Sequence, residues 1–493
     1  MSRSAVFYVV LVSFVLGVAL GTFLYGMFLP VAFLVLGVGA AMWGAWSDRR
    51  GTVFFLVASV FCLGLIHSGR EESFWRGLSR IGTVSGTAEV VRKPESGDFS
   101  KNVTVRMRSC DGDLCPEGQI RARFPILEEV SFGDVGKFSC DATLPDEAWR
   151  MYFAKEGISH VCANPKWERL GKESGPLVSI SGFSDRFESS LGRALPEPES
   201  GLAMGILLGG DGRLPRKVQE DFRNAGLAHI VAVSGYNISI VAEYLLLLGI
   251  VFFLPRRGAA IGALLGSVAF VCVSGAPPSS VRAVGMASAL VLAWILGRRY
   301  ASLHAVLFAS VVMLIGNPLL IRHDLGFLLS FAATSGIILA SPVVGRLLQD
   351  TRSVPRMFLE GLFLTVAAEA AILPIVFSNF GHFSLMTFPA NALLLPLVPL
   401  AMLFSFLSGF FGIFSETIGS VLGFPAYVFL HAIVSGASYA ASFTSADITW
   451  DSFGWTASAV WYVTLGGVFV FVSRTIMRRR AFSPRGNRDN MMI

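Results

Sequence analysis

The side chains best placed to do chemistry fall in an apolar stretch, where His229, Ser234, Tyr236, Asn237, Glu243 and Tyr244 follow one another. Set on one helix at about 100° per residue, His229, Tyr236, Asn237, Glu243 and Tyr244 share an arc about 120° wide. Polar groups are costly inside a membrane span, so such a stripe faces either a hydrated path or hydrogen-bonding neighbours. Ser234-Gly235 loosens the helix at this point, and broken helices belong beside cavities. The run Ala232-Val233-Ser234-Gly235 is also similar to a serine-nucleophile turn. A serine needs a base within hydrogen-bond reach. His229 lies about 140° round a regular helix from Ser234, too far for that contact.

Other candidates stand alone. Arg282 follows the helix-breaking run GAPPSS, where its guanidinium is placed to meet phosphate groups, to snorkel to the interface, or to pair with Asp324. His323 and Asp324 open a later apolar run, and Asp324 suits a helix cap. Asp211 in GGDG reads as a turn former. Glu369 lies in mid-span, where a carboxylate is expensive unless paired or protonated. Asn391, between Pro389 and Pro396, suits the lining of an opened helix. His304 reads as a packing histidine, and the 41 phenylalanines as core and lipid-facing residues.

Several chemistries lack their residues. The seven histidines are dispersed with no HxHxDH cluster for a pair of metals, and no GxxxxGK[ST] phosphate loop occurs. Asp111 and Asp113 begin like a calcium loop, but the ligand set stops there, so they read as a turn. No metal, no cofactor and no catalytic residue is expected, and the chain reads as neither nuclease nor ATPase.

The elements that must position these residues are mostly apolar helices. Hydrophobic residues make up 53% of the 493 residues and charged ones 15%, with a mean hydropathy of +0.62, against about 25% charge in an ordinary soluble domain. Twelve runs approach the length needed to cross a bilayer: 5–24, 28–47, 52–68, 229–254, 259–275, 282–297, 301–316, 324–342, 357–379, 388–410, 415–441 and 455–473. The net charge of +6 is unevenly spread. Arg3, Arg49, Arg50, Arg256, Arg257, Arg298, Arg299, Arg346, Arg352, Arg356 and the tail arginines sit in short segments with only Asp48, Asp350 and Asp489 as acids. By the positive-inside rule they thread both termini into the cytoplasm. Basicity here reports topology and not nucleic-acid binding.

Five segments follow from this. Residues 1–68 are three N-terminal helices. Residues 69–180 form a domain with 16 Lys/Arg against 17 Asp/Glu, placed outside by the threading. Its alternating stretches Gly82–Arg92, Asn102–Arg108, Gln119–Pro125, Val135–Ala142 and Ile158–Cys162, with a helix at Asp146–Glu156, predict a small OB-like β-barrel. Its balanced charge favours a structural or gating role over strand binding. Outside the cytoplasm its four cysteines favour disulfides, Cys110 with Cys115 and Cys140 with Cys162, over a zinc site; Cys62 and Cys272 read as packing residues. Residues 181–228 predict amphipathic helices lying on the membrane surface, residues 229–474 the main transmembrane domain, and residues 475–493 a basic cytoplasmic tail.

The stretch ILLGGDGRLPRKVQEDFRNAGLAHIVAVSGYNISIV at 206–241 resembles the signature of the ComEC competence family. Ser280-Val281-Arg282-Ala283, HDLGFLLSFAATSGI at 323–337, FSNFGHFSLMTFPANALLLPLVPL at 377–400 and Phe132-Gly133-Asp134 extend the likeness in order. The resemblance implies an inner-membrane channel for single-stranded DNA in natural transformation, in a form without the metallo-β-lactamase-like C-terminal domain of many members. His229, Ser234, Tyr236, Asn237, Arg282, Asp324 and Asn391 would line the path. A periplasmic DNA-delivery protein, a cytosolic helicase-like ATPase and a separate nuclease would be its partners. Family relatives tend to carry a neutral polar residue near Glu369, so that carboxylate departs from the pattern. A secondary transporter for a small solute or lipid is the competing expectation, since Glu369, Glu243 and His229 would suit proton coupling.

Overall fold

The computed structural model describes residues 3–45, 49–79, 82–96, 100–111, 115–209, 214–231, 233–275, 278–295, 302–349, 353–443, 447–450 and 453–481. Asp48, Asp113, Asp211, Ala232, Arg298, Arg299, Arg352 and the tail beyond 481 lie outside them. Two compact units are present: Met1–Glu220 with Ala228–Phe327 and Leu397–Val434, and Asp221–Leu227 with Leu328–Pro396 and Ser435–Ile493.

In the first unit, hydrophobic alternation builds a β domain from β1 (Gly82–Val90), β2 (Glu95–Ser96), β3 (Ser100–Cys110), β4 (Gln119–Pro125), β5 (Asp134–Ala142), β6 (Ile158–Cys162) and β7 (Lys166–Lys172). The sheet runs β6-β4-β3-β1-β5-β7, with β2 paired to β3. One face of alternate residues, among them Val84, Ala88, Val103, Ile120, Phe124 and Phe138, closes the core. Gly133 takes the left-handed φ of 81° that the Phe132-Gly133-Asp134 turn requires. Buried Asp134 completes that turn by accepting from the Ser131 amide at 2.9 Å, and pairs with Arg169.

The expected OB-like barrel is not shown, because the sheet does not close. The outer edge of β5 is occupied by β7 from Asp134 to Ser139, so the backbone pairing of β6 on this side falls on Thr143, just beyond β5. A single Thr143–Val161 bridge and the Cys140–Cys162 disulfide make that link, and the sheet stays open. Cys110–Cys115 is the second disulfide. The helix before β6 is observed at Glu147–Ala154.

Eight described helices are long and apolar enough to cross a membrane: Ala5–Phe23, Thr52–Gly77, Arg256–Val273, Leu325–Leu347, Leu359–Phe380, Thr387–Gly412, Glu416–Ala441 and Trp455–Thr475. The other four expected spans fall on Phe28–Ala45, Gly235–Val251, Pro278–Ile295 and Ser302–Gly316, which do not meet the same measure over their described residues. The protein is a multi-pass membrane protein, and a count of twelve crossings is not established. Close packing uses glycine: a methyl on Gly17 or Gly64 would collide with the facing backbone at 2.1 and 2.6 Å, tying Arg3–Phe23 to Arg49–Gly77.

Two helices depart from expectation. The segment Glu199–Leu208 is buried over nine of its ten residues, not laid on a surface, because it carries almost no polar face to turn outward. The span expected at 229–254 is two helices, Ala228–Val231 and Gly235–Val251. Farther along the chain, Thr387–Leu394 passes through a 3-10 turn at Leu395–Leu397 before Val398–Gly412. Pro396, which lacks an amide donor, sits in that turn. In the second unit two short strands, β8 (His382–Ser384) and β9 (Asp447–Thr449), pair beside an aromatic cluster of Phe377, Phe383 and Phe453.

Candidate functional site

The break before Gly235 is built by Ser234. Its backbone is extended (φ −109°, ψ 171°), and its hydroxyl accepts from the Asn237 amide as an N-cap. The same hydroxyl donates to Asn237 Oδ1 at 3.2 Å, and Asn237 Nδ2 donates to the Ile206 carbonyl at 3.0 Å. Asn237 is therefore turned inward and buried against the Glu199–Leu208 helix, while Tyr236, Glu243 and His229 are exposed. The stripe drawn on one regular helix is split, because the cap at Ser234 resets the rotation of everything before it.

Several chain breaks meet here. Ser279 Oγ donates to the Val233 carbonyl at 2.6 Å, joining the start of Pro278–Ile295 to the break at Ser234. Gly209, at the end of Glu199–Leu208, abuts the Ser274 carbonyl and Val233. Gly235 faces Ala283 across a gap that a Cβ would reach at 3.6 Å. Two helix N-termini, at Gly235 and Pro278, so open side by side, and amide dipoles at such ends favour anions.

Arg282 lies one turn into the second of these helices and is 2% exposed. It donates from Nη2 to the Gly326 carbonyl at 2.7 Å, while Nε and Nη1 are buried and make no hydrogen bond. Ser280 Oγ nearby is likewise buried without a partner. The alternatives of snorkelling and direct pairing with Asp324 are not what is observed. Asp324, 5% exposed, accepts from the Phe327 amide at 2.6 Å through Oδ1, capping Leu325–Leu347, and pairs through Oδ2 with Lys155 Nζ at 3.0 Å.

Residues 317–327 thus form a junction that composition and spacing did not disclose. Asn317 Nδ2 donates to the Lys155 carbonyl at 2.6 Å, and Leu319 packs on Met151, Ala154 and Trp75. His323 Nε2 lies 3.1 Å from Glu72 Oε2, whose other oxygen pairs with Arg76 at 2.9 Å. Arg322 donates to the Thr22 carbonyl at 2.7 Å and stacks on Phe23. The advance signal was His323 and Asp324 at the mouth of an apolar run.

Asn391 lies in the second unit, on Thr387–Leu394, 4% exposed with Oδ1 unbonded. Glu369 is half-buried on Ser353–Phe380 of the same unit. Buried Glu199 pairs with His431 at 2.7 Å in the first unit, and Asp221 accepts from Ser438 at 2.6 Å in the second; neither pair was foreseen. Among the described residues no three His, Cys, Asp or Glu gather as metal ligands.

Comparison with known proteins bears on the same region. ComE operon protein 3 of Bacillus subtilis (strain 168) is 26% identical over 220 residues, which cover 45% of this chain and 27% of that relative's length. No solved structure matches. The family model described as Competence protein matches residues 206–475. That range contains the capped break at Ser234, buried Arg282 and the junction at Asp324, and it takes in more than half of the sequence: the chain belongs to the competence (ComEC) protein family.

Proposed function

We propose that this protein conducts single-stranded DNA across the bacterial inner membrane during natural transformation. The observation that carries the reading is Arg282, a buried guanidinium with two unbonded nitrogens where several helices break. Leaving buried donors of a charged group unsatisfied costs about 1–3 kcal/mol or more, and such a group is expected to be kept for a ligand that supplies the missing acceptors. A phosphodiester supplies them and matches the guanidinium fork. One such contact, helped by the amide ends at Gly235 and Pro278, holds a strand weakly enough to let it move on.

In this reading both termini are cytoplasmic and the β domain lies on the outer side, where its two disulfides persist. The β domain has a structural or gating role and does not itself bind the strand. The chain itself carries out no hydrolysis. A periplasmic delivery protein brings the strand, a separate nuclease removes its complement, and a cytosolic helicase-like ATPase draws it in.

The test is Arg282→Glu in a competent host, with labelled DNA scored separately in periplasm and cytoplasm. The expected result is normal periplasmic entry, loss of cytoplasmic entry and unchanged membrane abundance. Normal transformation by the variant removes Arg282 from the mechanism.

A further inference from the structure

We propose that Lys155, at the end of the Glu147–Ala154 helix of the β domain, is a positioning residue that keeps Asp324 from neutralising Arg282. The inference rests on the role given to Arg282 above and adds to it the element that holds this guanidinium ready.

Two cations and one carboxylate share a nearly dry place. The side chains of Lys155 and Asp324 are 10% and 7% exposed. Asp324 Oδ1 is held by the Phe327 amide and Oδ2 by Lys155 Nζ, so both oxygens are engaged. Arg282 reaches the same loop at Gly326 from the other side. A Cβ placed on Gly326 would lie 3.1 Å from Asp324 Oδ1 and 3.6 Å from Arg282 Nη2, which puts carboxylate and guanidinium side by side across that glycine.

In a dry site a guanidinium with free donors pairs strongly with a neighbouring carboxylate, and the bidentate pair is the strongest form. What weakens the pairing here is the Lys155 ammonium, whose charge already offsets that of Asp324 through Oδ2. Lys155 is firmly anchored at this point, since its carbonyl accepts from Asn317 Nδ2 and its ammonium lies 4.3 Å from the Tyr152 ring centroid. Seating of the β domain on residues 317–327 therefore leaves Arg282 with two unspent donors. Withdrawal of Lys155 releases an acceptor beside it, and the charge meant for a phosphate is cancelled within the protein.

The experiment uses the full chain in competent cells, with cytoplasmic entry of labelled DNA expressed per molecule of protein in the membrane. Four variants are compared: Arg282→Gln, Lys155→Met, Asp324→Asn and the double variant Lys155→Met with Asp324→Asn. Lys155→Met is expected to lower entry about tenfold, the factor that goes with losing one hydrogen bond to a charged group. The double variant is expected to recover most of it, because asparagine keeps the cap at Phe327 and offers Arg282 no charge. Asp324→Asn alone is expected to fall by less than Lys155→Met. A merely structural latch gives the opposite order, with the double variant no better than Lys155→Met, and that result overturns the proposal. Normal entry by Lys155→Met beside a defective Arg282→Gln overturns it too and leaves the Arg282 reading standing. Normal entry by Arg282→Gln overturns both.

Discussion

At the scale of single residues, Asn237 and Tyr236 show how neighbours on an apolar helix take opposite parts. Asn237 is 1% exposed and ties the Ile206 carbonyl to the Ser234 cap; Tyr236 is 42% exposed. Asn237→Leu keeps the volume but leaves the Ile206 carbonyl unsatisfied, which costs about 1–3 kcal/mol. The purified variant should show a lowered thermal unfolding midpoint in detergent. Equal midpoints for Asn237→Leu and the parent would show that the bond to Ile206 adds nothing net. Sequence alone identified both residues as polar groups out of place. It left open whether they met water or protein, because that choice depends on the neighbouring Glu199–Leu208 helix and not on the helix that bears them.

At the scale of elements, the β domain carries a pH response of its own. His160 is fully buried, with Nε2 toward the Ser79 carbonyl at 3.2 Å and Nδ1 beside Ser159 Oγ. Burial pushes its pKa below the ordinary value of 6.5; the nearby Arg150 lowers it further, and the Ser79 bond offsets only part of this. The folded domain therefore resists a proton that the unfolded chain takes up near pH 6.5. Stability is fully present above that pH and is lost as pH falls from 6.5 toward the depressed folded value. Amide exchange at β4 and β6, corrected for intrinsic rates, should quicken between pH 7.5 and 5.5 in the parent and much less in His160→Gln. An equal response would move the effect to other groups. Five of the strands, the helix at Glu147–Ala154 and both disulfide pairings were legible beforehand, since alternation and cysteine placement are local signals. β7 was not: its residues are almost all exposed, so no buried alternation marks it, and its pairing with β5 is what leaves the sheet open.

At the scale of the whole molecule, the threading can be checked from outside. Leu127 in the β domain is 90% exposed, and Phe253, two residues before the loop-ending Pro255 and the Arg256-Arg257 pair, is 95% exposed. In intact spheroplasts a membrane-impermeant maleimide should label Leu127→Cys and should reach Phe253→Cys only after lysis, with unsubstituted protein as the control for Cys272. Labelling of both before lysis, or the reverse order, contradicts the placement of the β domain outside and the arginine loops inside.

What the order of residues determined by itself was whatever accumulates locally along the chain. Runs of apolar side chains set the membrane class, arginine clusters set the expected threading, alternation set the strands, and ordered motifs from 206 to 400 pointed to the family. Tertiary structure alone decided the partners of the charges. Lys155 and Asp324 stand 169 positions apart, and no periodicity links them. The choice of Asp324 between two cations a few ångströms away turns on the seating of one helix end, because in a low-dielectric interior a carboxylate answers to distance and geometry and not to composition.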